Sequence, residues 1–279
     1  MSQSVYPCLA IKGRIKEAAD FYLDTFGNGK MLHASPIVVQ IQLSGQKFMF
    51  LEGPEGTPNA TISFMVMSAS AEETENYWNK LIKEGEVLMP LNSYGWSEKY
   101  GWVQDKFGVS WQLYTGTKDD SIQKFCPTFM FTGANAGNAE AAVNLYTKVF
   151  AQSDIQGVLK YSEEDGDNTS FVKHAQFKIK QYTLMAMDSS TDHGFGFNDG
   201  ISLVVECNDQ AEIDSYWNQL TANGGREVAC GWLTDKYGIS WQIIPKGLVD
   251  LLKEPARAQR VMGAVMKMKK LIIKDLEEA

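Results

Sequence analysis

Residues 105–113 read DKFGVSWQL and residues 235–243 read DKYGISWQI, so Gln112 and Gln242 each follow a tryptophan in an apolar run. A carboxamide donates and accepts hydrogen bonds. It can therefore recognise a polar, uncharged ligand group or simply bond within its own protein. Gln40 and Gln42 alternate with apolar residues in IVVQIQL, as His174 and Gln176 do in FVKHAQFKI. Ser63 and Ser202 hold matching places in ISFMV and ISLVV. Of the three histidines, His33, His174 and His193, only His174 is a weak candidate for a catalytic base, which would need a positioned substrate. Glu52 ends the run KFMFLE and is the weak candidate for a metal contact; Asp188 ends the matching MAMD. Cys126 as a nucleophile would need a neighbouring base, and no pattern supplies one.

These groups act only if strands aim them. Strand side chains alternate between faces. In VSWQLY, Val109, Trp111 and Leu113 share one face, and Ser110, Gln112 and Tyr114 the other. The second copy sets Ile239, Trp241 and Ile243 against Ser240, Gln242 and Ile244. The apolar face should pack on helices and the mixed face should line a cavity. Gln112 and Gln242 then point inward with Gln40, Gln42, Ser63, Met65, His174, Gln176, Ser202 and Val204. The alternative is that both amides are satisfied by core partners alone.

The phrase recurs because the chain is a tandem duplication. AEETENYWNKL (71–81) matches AEIDSYWNQL, and EAADFYLDTF (17–26) matches EAAVNLYTKVF (140–150), in the same order. Ser63 and Ser202 are 139 residues apart but Trp111 and Trp241 only 130, which places nine extra residues within LMPLNSYGWSEKYGW. The second copy is longer around YSEEDGDNTSF. Both insertions read as loops or hairpin tips. Each copy reads strand–helix–strands twice, with Ala18, Phe21, Tyr22 and Phe26 on one helix face and Tyr77, Trp78, Leu81 and Ile82 on the next. The boundary falls near TGTKDDSIQK (115–124).

Among the 279 residues 44% are hydrophobic and 22% charged, with a net charge of −8, which argues against a sequence-independent grip on nucleic acid. No run approaches the ~18 apolar residues of a membrane span. The opening MSQSVYPCLA lacks a secretory pattern, and Cys8, Cys126, Cys207 and Cys230 form no CxxC pair, so a cytoplasmic protein with reduced thiols is expected.

GWLTDKYGISWQIIP, preceded by ISLVVECNDQAEIDSYWNQL, and EKYGWVQDKFGVSWQLY in the first copy resemble the PhnB-like, demethylubiquinone methyltransferase-like branch of the glyoxalase and vicinal-oxygen-chelate superfamily. The resemblance covers roughly residues 5–115 and 125–245. It implies an α+β fold of four βαβββ modules forming two glyoxalase-like open barrels, with a C-terminal helix. The domains would be 1–118, 124–247 and a helical tail at 248–279. It also implies a divalent metal held by His, Gln or Glu on the first and last strands of each module, with lyase, isomerase or dioxygenase chemistry. Here those positions hold Tyr6 or Pro7, Cys126 or Pro127, Ile62 or Ser63, Ile201 or Ser202, and Gln112 or Gln242. Zinc, nickel and iron favour imidazole, thiolate or carboxylate, so no metal or other cofactor is expected. Methyl transfer is not expected either, because no Gly-rich loop follows a strand in a doubly wound unit.

The expectation is a metal-independent protein that binds a small molecule in its barrel cavity, the alternative being a superfamily enzyme with a degenerate metal site. No nucleic-acid or membrane partner is expected. In the tail, Pro255 is a plausible helix start, and Val261, Val265 and Met268 recur at helical spacing. The tail either docks on its own domain or pairs two chains, leaving a monomeric covalent pseudo-dimer or a homodimer.

Overall fold

The computed structural model describes residues 3–53, 55–116, 123–251 and 255–279. Most of the boundary stretch expected at 115–124 lies outside the described residues, at 117–122. The first module runs β1 (Val5–Ala10), α1 (Ile15–Phe26), β2 (Gly29–Ala34), β3 (Val38–Leu43) and β4 (Gln46–Leu51). The second runs β5 (Ile62–Ser68), α2 (Ala71–Leu81), β6 (Glu86–Tyr94), β7 (Ser97–Gln104) and β8 (Ser110–Thr115). The third runs β9 (Phe125–Phe131), α3 (Ala139–Val149), β10 (Asp154–Lys160), β11 (Val172–Ile179) and β12 (Tyr182–Asp188). The fourth runs β13 (Ile201–Cys207), α4 (Gln210–Leu220), β14 (Arg226–Glu227), β15 (Trp232–Thr234) and β16 (Ser240–Pro245). The tail carries α5 (Leu248–Leu251), α6 (Pro255–Val265) and α7 (Ile273–Glu277). The nine extra residues lengthen the β6–β7 hairpin relative to β14–β15, and the other insertion lies between β10 and β11. No helix among the described residues is long and apolar enough to cross a membrane.

The strands form two eight-stranded sheets, and neither belongs to one copy. The first has the order β14-β15-β16-β13-β1-β4-β3-β2, joining the fourth module to the first. The second has the order β10-β11-β12-β9-β5-β8-β7-β6, joining the third to the second. Antiparallel seams unite the copies, β1 with β13 and β5 with β9. Each α+β half is thus shared by both repeats.

The alternation expected from the sequence holds on every central strand. Phe48, Phe50, Leu203, Trp241 and Ile243 on the first sheet, and Phe64, Trp111, Leu113, Phe129 and Leu184 on the second, enter one large core with Ala18, Tyr22, Phe26, Tyr146 and Trp217 of the helices. Helices α2 and α4 begin at Ser70 and Asp209, whose side chains accept from Glu73 N and Glu212 N, while Glu73 and Glu212 reach back to Ala69 N and Asn208 N. These reciprocal caps satisfy N–H groups that a helix start otherwise leaves open.

The repeated DK(F/Y)G phrase has a structural role at its aspartate. Asp105 Oδ1 accepts from Phe107 N (2.8 Å) and Val109 N (3.1 Å), while Oδ2 accepts from Trp111 Nε1 (2.8 Å) and Tyr22 OH (2.7 Å). Asp235 makes the same four bonds with Tyr237 N, Ile239 N, Trp241 Nε1 and Tyr146 OH. Gly108 and Gly238 close the turn at φ +81° and +93°, where a Cβ would be strained. Burial pushes both carboxyls above the usual range, and the four donors pull them back. Tyr22 belongs to the first sheet's module and Trp111 to the second sheet, so each carboxylate ties the two sheets through a helix.

The tail docks on its own chain, as one of the two readings held. Val261, Val265, Leu271 and Leu276 form a second buried cluster with Tyr6, Cys8, Met49, Val204 and Ile244, which lie on the hollow face of the first sheet. Gly231 N donates to Lys269 O (2.7 Å) and Cys230 N to Met268 O (2.8 Å). The Gln210 side chain bridges Leu271 O and Ile273 N, and Lys270 pairs with Asp214 at 2.6 Å. Met268 lies beyond α6, so the expected helical stripe stops at Val265.

Two outcomes follow. Asp105→Asn keeps the turn acceptor but sets an NH₂ against the Trp111 indole N–H; it should cost about 2–4 kcal/mol in urea unfolding, as should Asp235→Asn. A loss under about 0.5 kcal/mol in both would show that the carboxylates are incidental. Removing residues 252–279 uncovers the hollow face of the first sheet; each buried aliphatic side chain lost is worth about 1.5–3 kcal/mol. Unfolding should come several degrees earlier, with new binding of an apolar fluorescent dye; unchanged values would contradict the docking.

Candidate functional site

The sequence-derived candidates fall on hollow faces, four on each sheet. Ser63, Gln112, His174 and Gln176 lie on the second sheet, and Gln40, Gln42, Ser202 and Gln242 on the first. Register refines the equivalence between copies. Cys8 pairs with Met49 and Met49 with Gln40; Thr128 pairs with Met185 and Met185 with Gln176. Gln176 is thus the counterpart of Gln40, and His174 that of Val38.

Both phrase glutamines face the hollow, and both have a serine partner there. Gln112 Nε2 donates to Ser63 Oγ at 2.8 Å, and Gln242 Nε2 to Ser202 Oγ at 2.9 Å. Tyr100 OH also donates to Gln112 Oε1 at 2.8 Å. Gln112 and Gln242 are only 4% and 5% exposed. The inward reading and the core-partner reading therefore both describe them: they are hollow-facing amides already engaged by protein.

The two hollows differ in what covers them. The centre of the first is covered by the tail, which buries Tyr6, Cys8, Met49 and Val204, while its end beside the DKYG turn, around Trp232, Thr234 and Ser240, stays uncovered. Burial pushes the Cys8 thiol up to about 12 against the opposing pull of Gln242 and Ser202. Gln40 is buried with its amide on Met49 Sδ at 3.6 Å, and Gln42 donates to Gly45 O in the β3–β4 turn at 3.2 Å. In the second hollow Met65, Met67, Trp102, Tyr114, His174, Gln176 and Met187 stay partly exposed, above a buried floor of Cys126, Thr128, Met130 and Met185. Val204, the counterpart of Met65, is fully buried.

The second hollow mixes polarizable, aromatic and neutral polar groups. Burial lowers the pKa of His174, favouring the neutral imidazole. Gln176 Nε2 donates to Gln156 Oε1 at 2.9 Å. Cys126 donates to Gln123 O, and burial pushes its thiol up to about 12, which leaves little thiolate. His33 is exposed opposite Gln40 on the edge strand β2 of the first sheet, and His193 is exposed in the loop after β12.

Glu52 and Asp188 act as loop ties. Both Glu52 oxygens accept from Gly13 N, at 3.0 and 2.7 Å. Asp188 accepts from Gly137 N, Ala139 N and Val172 N. Among the described residues no three His, Cys, Asp or Glu side chains converge. The second hollow holds one imidazole, His174, and one buried thiol, Cys126, among neutral amides and hydroxyls, fewer strong donors than a divalent transition metal takes.

Sequence reasoning passed over Tyr100, Trp102 and Thr128, although counting back by twos from Gln104 would have put Trp102 and Tyr100 on the hollow face. The aspartate of the repeated phrase was also missed as a structural anchor; its constant spacing before the tryptophan was the available signal.

The family model described as 3-demethylubiquinone-9 3-methyltransferase matches residues 3–114 and again 123–244. A PhnB protein from Bacillus cereus is 32% identical over 41% of this chain and 100% of its own, with a TM-score of 0.40. A glyoxalase I mutant from Zea mays is 14% identical over 90% of this chain and 96% of its own, at a TM-score of 0.58, a likeness of fold. No curated protein matches. The chain therefore belongs to the 3-demethylubiquinone-9 3-methyltransferase family, whose model it matches twice in tandem.

Proposed function

We propose that the protein binds a small, largely uncharged organic molecule in the hollow of the second sheet, without a metal. The observation that carries this reading is the contrast between two equivalent faces: the chain's own tail covers the centre of one, while the other keeps Met65, Met67, Trp102, His174, Gln176 and Met187 partly open. Methionine and aromatic side chains offer an adaptable apolar surface, and a few neutral donors and acceptors orient a ligand on it. A strongly anionic or cationic ligand would find no matching charge among the groups used here. Charged groups on that face stand at its ends: Lys178 opposite Asp154, and Glu86 opposite Gln104.

Methyl transfer, which the family description suggests, finds no support in this architecture. Both sheets are mixed, with antiparallel neighbours, and neither has the doubly wound parallel order that cradles a nucleotide-like methyl donor. A second reading, an isomerase or lyase, is favoured by one observation: the half-buried His174 is held neutral on the hollow face, as a general base requires. The duplication also supplies both partners of each seam within one chain, so the protein is read as a monomer.

Four results check these readings. With methyl-labelled methionine, a neutral ligand found by screening should shift the ε-methyl signals of Met65, Met67, Met185 and Met187 and leave exposed Met262 and Met266 unmoved. Binding that vanishes on treatment with a chelator, or that shifts none of the hollow methionines, would overturn the reading. Met187→Trp, which fills the hollow, should weaken such a ligand at least tenfold. If a turnover is found, its survival in His174→Gln would remove the imidazole from the mechanism. Sedimentation should give a particle near 31.1 kDa; an obligate dimer would contradict the monomer reading.

A further inference from the structure

The two copies diverge at one place that neither the tail nor the second hollow explains. In the first copy Trp102 Nε1 donates to Ser110 Oγ (2.5 Å), and Gln104 Nε2 donates to Gly108 O (2.9 Å). Those side chains close the end of the sheet beside the DKFG turn. In the second copy the counterparts are Trp232, Ser240, Thr234 and Gly238, fixed by the pairings Trp102 with Gln112, Trp232 with Gln242, and Thr234 with Ser240. Thr234 is too short to reach the Gly238 carbonyl as Gln104 reaches Gly108. Among the described residues neither the Trp232 indole N–H nor the Ser240 hydroxyl has a protein partner, although Ser240 is only 4% exposed. The space left is a cleft of about 410 Å³ lined by Phe197, Arg226, Val228, Trp232, Thr234 and Ser240. That volume is within the range of small-molecule pockets, ~300–1,000 Å³.

Charge diverges at the same place. Arg226 pairs with Thr234 where Glu86 pairs with Gln104, so an acid of the first copy is a guanidinium in the second. Among the described residues Arg226 makes no ion pair. Asp199 also borders the cleft, but one of its oxygens accepts from Gly56 N at 2.8 Å, which ties it to the neighbouring loop. Asn198 likewise donates to Thr57 O.

We infer that this cleft is a second binding site, for a small aromatic carboxylate. The planar guanidinium of Arg226 takes the carboxylate through paired hydrogen bonds. The rings of Trp232 and Phe197 flank the flat body of the ligand. The indole N–H and the hydroxyls of Ser240 and Thr234 meet a polar substituent on its far side. The site is separate from the second hollow, which lies on the other sheet and carries neutral groups.

Benzoate and its uncharged analogue benzamide test the assignment by titration calorimetry on the full chain. Benzoate should bind saturably with one site, and Arg226→Gln should weaken it at least tenfold while changing benzamide less than twofold. Thr234→Gln, which restores the first copy's residue, should abolish benzoate binding. Arg226 is exposed and its side chain makes no hydrogen bond among the described residues, so its variant should keep the parent unfolding temperature. Independently of any variant, magnetisation transfer from bound benzoate should reach the Trp232 indole. No saturable binding, equal binding by Arg226→Gln, or transfer to Met65 and Met187 in place of Trp232 would overturn the inference.

Discussion

Two buried carboxylates hold this molecule in its arrangement. Asp105 and Asp235 each organise a turn with one oxygen and grip a tryptophan and a helix tyrosine with the other. A carboxylate removed from water is costly unless its lone pairs are filled, and here four donors fill them. The indole can meet its acceptor only if the tryptophan faces the helices. Strand alternation then obliges the following glutamine to face the hollow. The carboxylates also join a helix of one sheet to a strand of the other, which sets the sheets with their helical faces together and their hollows pointing apart.

Duplication gives this arrangement freedom to become unequal. The seams between β1 and β13 and between β5 and β9 join the copies within one chain, so each hollow is built by both repeats and each can change alone. The first received the tail. Burial of Val261, Val265, Leu271 and Leu276 there stabilises the chain by several kcal/mol on an area basis, at ~1.5–3 kcal/mol per side chain. The second kept partly open methionines and aromatic rings.

Much of this was legible in the residues. Alternation in VSWQLY and ISFMV fixed which side chains face the hollow, because a one-residue slip would have sent Trp111 into it. The repeats fixed the module order. Sequence could not decide which modules share a sheet, since each module has the same apolar edges and pairing within or between copies satisfies the same pattern. Nor could it place the tail, whose stripe of Val261 and Val265 suits any apolar surface. The glutamines were read as facing the ligand or bonding within the core; the structure shows a hollow-facing amide with a serine beside it, a combination set by the parallel pairing of β5 with β8 and of β13 with β16.

The central claim is that the tail covers the centre of one hollow and leaves the centre of the other open. Relaxation of methionine methyl signals by a soluble, uncharged paramagnetic probe measures this directly. The account predicts strong enhancement at Met65, Met67 and Met187 and little at Met49 beneath the tail. Enhancement at Met49 equal to that at Met187, or none at the second-sheet methionines, would contradict it.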